Sequence, residues 1–225
     1  MRPLSSSSKW PTSALEQRLS EEGYKVVAGL DEVGRGPLAG PVVAAAVVLS
    51  PDSDVLLHGI VRDSKQLSHK TRVLAYERIL DCALTYSVGS CASGLIDRIG
   101  IVSATRLAML RAVKSLEIRP DHLLIDALDL PTLDIDQTSL IKGDVNCLTI
   151  SAASVVAKVT RDRLMESVFH IKYPGYGFAT HKGYGTRAHL VALNRIGPSP
   201  IHRRSFAPVR ELLRRRERVP TRPLT

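Results

Sequence analysis

Four acidic residues of this 225-residue chain stand where carboxylates could do chemistry. Asp31, Asp126 and Asp144 each end an apolar, strand-like segment, and Glu32 directly follows Asp31. The ends of strands in α/β sheets are where functional residues collect. A carboxylate at the end of a buried strand is costly to desolvate, and either a salt bridge or a divalent cation compensates that cost.

Together these carboxylates would form a hard, all-oxygen ligand set that suits Mg²⁺ or Mn²⁺. Two such ions about 4 Å apart can activate a water molecule and stabilise the leaving oxygen of a phosphodiester. The acids lie far apart in sequence, so only a sheet could assemble them. The alternative is that each acid forms its own salt bridge or caps a turn, which is the simpler interpretation of any one acid taken alone.

Glycines follow the first acidic pair. Neighbouring residues of a strand point to opposite faces, so Asp31 and Glu32 can serve one site only if the chain bends there. Gly34 and Gly36 give the backbone the freedom for such a bend. The Gly34-Arg35-Gly36 triplet lacks the third, helix-opening glycine of a dinucleotide-binding motif, and the sequence contains no P-loop. We therefore expect no small-molecule organic cofactor.

The composition favours a polyanionic partner. The net charge is +9 and the pI is near 9.7, which suits nucleic acid, although a merely basic globular protein has the same balance. The three cysteines form no C-x-x-C pair, which argues against a zinc ribbon and favours a reducing compartment. The N-terminus lacks the apolar core of a signal peptide, and the longest apolar stretch, 41–49, is too short to span a bilayer. We expect a cytoplasmic protein that does not enter the membrane.

The apolar pattern predicts the elements that carry the acids. A strand that ends in the first acidic pair should form a hairpin with the next strand, and residues 131–139 read as a polar loop. Strands are predicted over 25–30, 42–49, 84–91 and 122–126, and helices from Ser68, over 101–116, over 150–171 and in two segments near the C-terminus. This order predicts an α/β domain with a mixed sheet flanked by helices.

The chain is expected to contain one catalytic domain with two appendages. Residues 1–20 are rich in Ser and Pro and are predicted to be a flexible extension. Residues 21–200 would form the catalytic domain. Residues 201–225 would form a basic, helical C-terminal segment.

Motifs along the chain follow the pattern of a known family. The first is GLDEVGRGPLAG at residues 29–40, and the others lie at 63–68, 124–126, 142–144, 150–162, 175–186 and 202–206. In this order the motifs closely resemble those of bacterial ribonuclease HII, the type 2 ribonuclease H. The resemblance covers roughly residues 25 to 210.

The resemblance implies a ribonuclease H-like fold and hydrolysis of the RNA strand of RNA–DNA hybrids. It also implies incision on the 5′ side of single ribonucleotides in duplex DNA, the start of ribonucleotide excision repair. Water would attack the phosphate in line with the help of two Mg²⁺ or Mn²⁺ ions, leaving a 5′-phosphate and a 3′-hydroxyl, and the enzyme would act as a monomer. The metal ligands and catalytic acids that it implies are Asp31, Glu32, Asp126 and Asp144.

The resemblance also implies substrate contacts. Gly34-Arg35-Gly36 would recognise the 2′-hydroxyl mainly through backbone groups, unless the triplet is only a hinge with Arg35 on a phosphate. Tyr184 would pack on the sugar that follows the ribonucleotide, unless it is an ordinary loop tyrosine. Lys65 would contact a phosphate, unless it is simply solvated.

Four further polar residues allow a local interpretation. Lys158 and Arg161, a helical turn apart, would face the duplex backbone or pair with acids. His181 and His202 are expected to make local hydrogen bonds, because a hard oxygen-ligand site does not require them.

Two residues depart from the family pattern. Ala127 stands where the family usually has glycine, and Gly100 stands where asparagine is common. Neither replaces an acid.

Two other functions remain as alternatives. The first is a non-catalytic binder of RNA–DNA hybrids on the same fold, and the retention of all four acids argues against it. The second is another nuclease or recombinase of the wider ribonuclease H-like superfamily, whose usual pattern lacks the Gly-Arg-Gly element.

Overall fold

The computed structural model describes residues 10–61, 64 and 67–217. The chain divides into two compact units. The first, the sheet unit, comprises the residues up to Val33 with Val43–Ser90 and Thr105–Val159. The second, the helical unit, comprises Gly34–Val42, Cys91–Ala104 and the residues from Thr160 onward.

A mixed sheet organises the sheet unit. Its strands are β1 (Val27–Val33), β2 (Val42–Leu49), β3 (Ala83–Cys91), β4 (His122–Asp126) and β5 (Asp136–Leu140). They lie in the order β3-β2-β1-β4-β5. β1 and β2 are antiparallel, as the predicted hairpin requires, whereas β4 runs parallel to both β1 and β5. The predicted α/β class is therefore correct.

Helices make up most of the remaining regular structure. They are α1 (Ala14–Glu21), α2 (Ser53–Leu57), α3 (His69–Cys82), α4 (Ser93–Ile99), α5 (Ile101–Lys114), α6 (Gly143–Asn146), α7 (Leu148–Leu164), α8 (His170–Lys172), α9 (Phe178–His181), α10 (Arg187–Ile196) and α11 (Ala207–Glu217). The Ser68 hydroxyl accepts a hydrogen bond from the Thr71 N–H and so begins α3 as predicted. No helix in the described part of the chain is both long enough and apolar enough to cross a bilayer.

The long helix predicted over 150–171 is present, but its hydrogen-bond pattern changes from α-helical to π-helical near its end. A π-helical segment, Met165–Phe169, joins α7 to α8. Such segments insert one residue into a helical turn and are frequent near functional sites.

β1 and α7 approach each other closely because Gly29 has no side chain. A Cβ at Gly29 would lie 2.2 Å from the carbonyl carbon of Thr149 at the start of α7. Small side chains on α7 also allow close packing against β2. Three buried alanines of α7 lie in the same apolar cluster as β2 residues, and these are Ala152, Ala153 and Ala157. The strand that carries the first acidic pair is thus fixed against a helix.

The helical unit has apolar clusters of its own. One contains Met165, Tyr176 and Phe178. Another joins Leu38 to Leu193 of α10 and Val209 of α11. Within the basic C-terminal segment, α11 therefore has a packed apolar side.

Two predicted loops contain regular structure. Residues 136–139, predicted as part of a polar loop, belong to β5. This edge strand is only partly buried, so its residues lack the apolar alternation of a strand. Residues 14–20 of the predicted flexible extension lie in α1. This helix is held by buried Leu19 and by Glu16, whose Oε1 accepts a hydrogen bond from the Thr149 N–H at 2.9 Å. Residues 1–9 lie outside the described part of the chain.

The contact between β1 and α7 gives a stability prediction. Gly29→Ala should lower the free energy of unfolding by about 3 kcal/mol, because two backbone segments must separate to admit the methyl group. Gly94→Ala in α4 is the matched control, since an added Cβ there meets no atom within 4 Å. It should change stability by less than about 1 kcal/mol. Urea denaturation followed by circular dichroism measures both variants, and equal stabilities would contradict the close approach.

Candidate active site

Asp31 and Asp126 occupy equivalent places on neighbouring parallel strands. The last paired residues of β1 and β4 are Leu30 and Ile125, and each acid is the next residue of its strand. The sheet therefore brings these two acids side by side, although 94 residues separate them in the chain. Glu32 follows on β1 opposite Ala44 of β2 and is half-buried.

Asp31 is the most strongly perturbed of these carboxylates. Its side chain is 5% exposed, and burial raises its pKa well above the ordinary value. The negative charges of Glu32 and Asp126 raise this pKa further. Two hydrogen bonds oppose the rise, one from the Glu32 N–H to Asp31 Oδ1 at 2.6 Å and one from the Ser154 hydroxyl. Such mutual repulsion at a buried position is relieved by a nearby cation.

Ser154 was not predicted as a site residue, although its motif was noted. Its hydroxyl lies on α7 and is 2.8 Å from the hydroxyl of Ser64, and both side chains are buried. The Ser154 hydroxyl, itself linked to Ser64, therefore supports the Asp31 carboxylate from α7.

Asp144 is connected to Asp126 through the backbone. Asp126 Oδ1 accepts a hydrogen bond of 2.8 Å from the N–H of Gly143, the residue before Asp144. Asp144 lies in the first turn of α6 and is 7% exposed. A Cβ at Gly143 would lie 2.6 Å from Ile150 Cδ1, so glycine allows this turn to sit close to α7.

Both departures from the family pattern lie in the left-handed backbone region. Ala127 has φ +52° and donates its N–H to the Leu140 carbonyl at 2.9 Å. Alanine in this region costs roughly 1–2 kcal/mol, a cost that glycine avoids. Gly100 has φ +79° at the end of α4, a conformation that glycine adopts freely.

The carboxylates suit a divalent cation by the type of their ligand atoms, although their side chains are not arranged as a preformed metal site. Across residues 10–61, 64 and 67–217, no three His, Cys, Asp or Glu side chains stand in an arrangement that could hold a metal ion. The donors nevertheless are hard carboxylate oxygens on adjacent backbone segments, as Mg²⁺ and Mn²⁺ prefer. The residues that would hold such an ion are Asp31, Glu32, Asp126 and Asp144.

The helical unit brings the Gly-Arg-Gly triplet together with Tyr184. Gly34 is buried with φ +92°, whereas Arg35 and Gly36 are exposed. A Cβ at Gly36 would lie 3.9 Å from Cε1 of Tyr184, whose side chain is 42% exposed. Lys65 lies outside the described residues.

Arg161 does not have the predicted role of facing a duplex or pairing with acids. It is fully buried, and its guanidinium donates to the carbonyls of Pro41, Lys182 and Ala39 at 2.9, 3.0 and 3.1 Å. The prediction failed because sequence does not reveal that a loop turns its carbonyls inward onto this helix. Lys158, one turn earlier, is half-buried.

Buried histidines lie beneath the Tyr184 loop. The Ser199 N–H donates to Nδ1 of His202 at 2.9 Å, so the neutral His202 ring carries its proton on Nε2. That proton faces Nε2 of His189 at 3.0 Å, and Nδ1 of His189 then donates to the Tyr184 carbonyl at 2.9 Å. Burial, followed by the neighbouring His189, lowers the pKa of His202 to about 4.

His181 makes a separate pair of local hydrogen bonds. Its Nδ1 accepts from the Gly183 N–H at 3.2 Å, which leaves Nε2 to donate to the Tyr176 carbonyl at 2.7 Å. The prediction of local hydrogen bonding for His181 and His202 is therefore correct.

Comparison with known proteins identifies the relatives of this architecture. The sequence model described as Ribonuclease HII matches residues 28–209. The Ribonuclease HII of Leuconostoc mesenteroides subsp. mesenteroides is 52% identical over 199 residues, which cover 88% of this chain and 77% of the relative.

Solved structures have the same fold. The crystal structure of the ribonuclease H2 from Pyrococcus horikoshii OT3 has a TM-score of 0.73 and 28% identity, covering 87% of this chain and all of that one. The crystal structure of Bst-RNase HIII in complex with Mn²⁺ has a TM-score of 0.61 at 21% identity, covering 86% of this chain and 71% of that one. The ribonuclease H-like fold expected from the motifs is therefore confirmed.

The histidine chain gives a pH prediction. Because folding lowers the pKa of His202 from 6.5 to about 4, the unfolded chain takes up this proton at a higher pH than the folded chain. The stabilisation is complete above pH 6.5 and is lost as the pH falls towards about 4. NMR of the ring nitrogens should show a neutral His202 with its proton on Nε2 at pH 6.5, and a titration midpoint near 4. A proton on Nδ1, or a titration midpoint near 6.5, would contradict the hydrogen-bond order.

Proposed function

The chain belongs to the ribonuclease HII family, and from this membership we propose how it acts as a nuclease on RNA–DNA hybrids. It is an endonuclease that hydrolyses the RNA strand and nicks duplex DNA on the 5′ side of single embedded ribonucleotides. The products carry a 5′-phosphate and a 3′-hydroxyl. The enzyme works as a monomer in the cytoplasm, where it starts the removal of ribonucleotides from DNA.

The placement of Asp31 beside Asp126 is the observation that carries this proposal. Two acids lie at the ends of neighbouring parallel strands, and Glu32 adjoins them. Their negative charges are close together at a position where Asp31 is only 5% exposed to solvent. A purely structural role would favour removal of that charge or its pairing with a basic side chain, because a buried carboxylate is costly. A divalent cation relieves the repulsion of all three acids at once.

Mg²⁺ or Mn²⁺ bound to these acids supplies charge neutralisation of the scissile phosphate and lowers the pKa of water. The chain's own groups set the orientation of the carboxylates. The Glu32 N–H and the Ser154 hydroxyl direct Asp31, and the Gly143 N–H directs Asp126. Bst-RNase HIII, which shares the fold, crystallised in complex with Mn²⁺, and this supports the use of a divalent metal by this chain.

Substrate recognition falls to the exposed part of the Gly-Arg-Gly triplet. Arg35 and Gly36 lie at the surface of the helical unit, and Gly36 is next to Tyr184. Their backbone groups recognise the ribose 2′-hydroxyl, the group that distinguishes RNA from DNA. Tyr184 packs on the following sugar, and Lys65 contacts a phosphate.

A non-catalytic binder of RNA–DNA hybrids is the remaining alternative. Such a protein would gain nothing from four retained acids and would be expected to lose at least one of them. The match of the family model over residues 28–209 argues against an enzyme from another branch of the ribonuclease H-like superfamily.

A nicking assay tests the proposal. A labelled DNA duplex with one embedded ribonucleotide should be cut once, on its 5′ side, in Mg²⁺ or Mn²⁺. Asp31→Asn and Asp126→Asn should bind this duplex but cut it roughly 1000-fold more slowly, a loss of about 4 kcal/mol of transition-state stabilisation. Asp134→Asn, which removes an exposed loop carboxylate of the same unit, should cut at the unmutated rate.

The outcomes separate the two functions. Full cleavage by Asp31→Asn or Asp126→Asn would disprove the assigned acids. Tight binding without cleavage by the unmutated protein in either metal would favour the non-catalytic binder.

A further inference from the structure

A buried guanidinium lies directly beneath the Gly-Arg-Gly triplet. Arg203 is fully buried in the helical unit. Its Nη1 donates to the Arg35 carbonyl at 2.8 Å, and its Nη2 donates to the Gly34 carbonyl at 2.5 Å. Nε and Nη2 both donate to the Gly40 carbonyl, at 3.0 and 2.9 Å. One arginine therefore holds both ends of the loop from Gly34 to Gly40.

Arg161 extends the same arrangement. It is also fully buried, and it binds the carbonyls of Ala39 and Pro41, which flank the Gly40 carbonyl held by Arg203. Burying two like-charged guanidiniums in one unit is costly unless their donors are satisfied. Five loop carbonyls accept hydrogen bonds from the two guanidiniums and so offset this cost. They belong to Gly34, Arg35, Ala39, Gly40 and Pro41.

The segment that carries Arg203 is itself anchored. The Asp97 carboxylate accepts the N–H groups of Arg204 and Ser205, each at 2.9 Å. The Arg203 N–H donates to the Leu38 carbonyl at 2.8 Å. Arg203 is thus a fixed support for the loop and not a mobile side chain.

The inward carbonyls determine where the loop's N–H groups point. In a trans peptide the N–H is directed opposite to the C=O, and the described residues contain no cis peptide. The Gly34 carbonyl shares its peptide with the Arg35 N–H, and the Arg35 carbonyl shares its peptide with the Gly36 N–H. Because both carbonyls face Arg203, both N–H groups are directed away from it, on the exposed residues Arg35 and Gly36. Charge on the carbonyl side also strengthens each N–H as a donor.

We propose that Arg203 is a specificity-determining positioning residue, which sets the Arg35 and Gly36 N–H groups as a preorganised donor pair for the ribose 2′-hydroxyl oxygen, with Arg161 holding the far side of the loop. This inference rests on the proposed function. It assigns the discrimination between ribose and deoxyribose to a side chain that never touches the substrate.

A binding assay tests the proposal in the full chain carrying Asp31→Asn, which prevents turnover. The affinity for a DNA duplex with one ribonucleotide is divided by the affinity for the same all-DNA duplex. Arg203→Lys keeps the charge but loses the guanidinium fork, so this ratio should fall about tenfold, the effect of one lost hydrogen bond to the hydroxyl. Affinity for the all-DNA duplex should stay within about twofold, because no phosphate contact is removed.

Arg216→Lys is the matched control. Its Nη2 donates to the Asn194 carbonyl at 2.9 Å on the exposed surface of the same unit, so it removes an arginine–carbonyl contact away from the loop. Its ratio should equal that of the parent. If the parent prefers the ribonucleotide duplex and the Arg203→Lys variant keeps that whole preference, this inference alone is overturned. A parent without any preference would overturn the proposed function and this inference with it.

If Arg203→Lys fails to fold, an NMR titration of a protein without any arginine substitution still tests the donor pair. In the same parent, NMR resonances of the Arg35 and Gly36 amides should move downfield on titration with the ribonucleotide duplex and stay in place with the all-DNA duplex. Unchanged amide resonances in both titrations would overturn the donor pair.

Discussion

The desolvation of Asp31 is the constraint on which the sheet unit depends. A carboxylate that is 5% exposed and flanked by two further acids is unfavourable by itself, yet the surrounding backbone is arranged to keep it there. Gly29 lets α7 approach β1, and this approach places Ser154 within hydrogen-bonding reach of Asp31. The parallel register of β1 and β4 then fixes Asp126 beside it. Close packing thus keeps the Asp31 carboxyl buried next to two further acids, where its pKa is raised well above the ordinary value.

In the helical unit the buried charges are positive, and backbone groups stabilise them. Two fully buried guanidiniums are satisfied by loop carbonyls, so positive charge is retained inside without a carboxylate in each of those hydrogen bonds. The consequence is a loop whose Gly34 and Arg35 carbonyls face Arg203, so that the N–H groups of Arg35 and Gly36 are directed away from it. Under the proposed function, the acids would serve a metal ion and the two N–H groups an oxygen ligand, and a nuclease that recognises ribose needs both kinds of site.

Sequence predicted the parts of this arrangement that local patterns encode. The apolar runs that end in Asp31 and Asp126 revealed both strands, because buried parallel strands are continuously apolar. β5 was missed because DQTSL is polar and forms an edge strand. Arg203 and Arg161 were not recognised as loop supports, since arginines are usually exposed and their partners are backbone carbonyls with no signature in sequence. The left-handed conformation of Ala127 was likewise invisible, although the departure from glycine at that position was a clue.

The dependence of stability on a divalent cation tests this account most directly. The free energy of unfolding is measured at neutral pH for the unmutated protein and for Asp31→Asn, in chelator and with Mn²⁺. Without metal, Asp31→Asn should be the more stable protein, because it lacks the repelled carboxylate. Mn²⁺ at about 100 times its Kd should stabilise the unmutated protein by about 2.7 kcal/mol and the variant far less. Equal responses of both proteins to Mn²⁺, or none in either, would contradict the claim that these acids form a cation site.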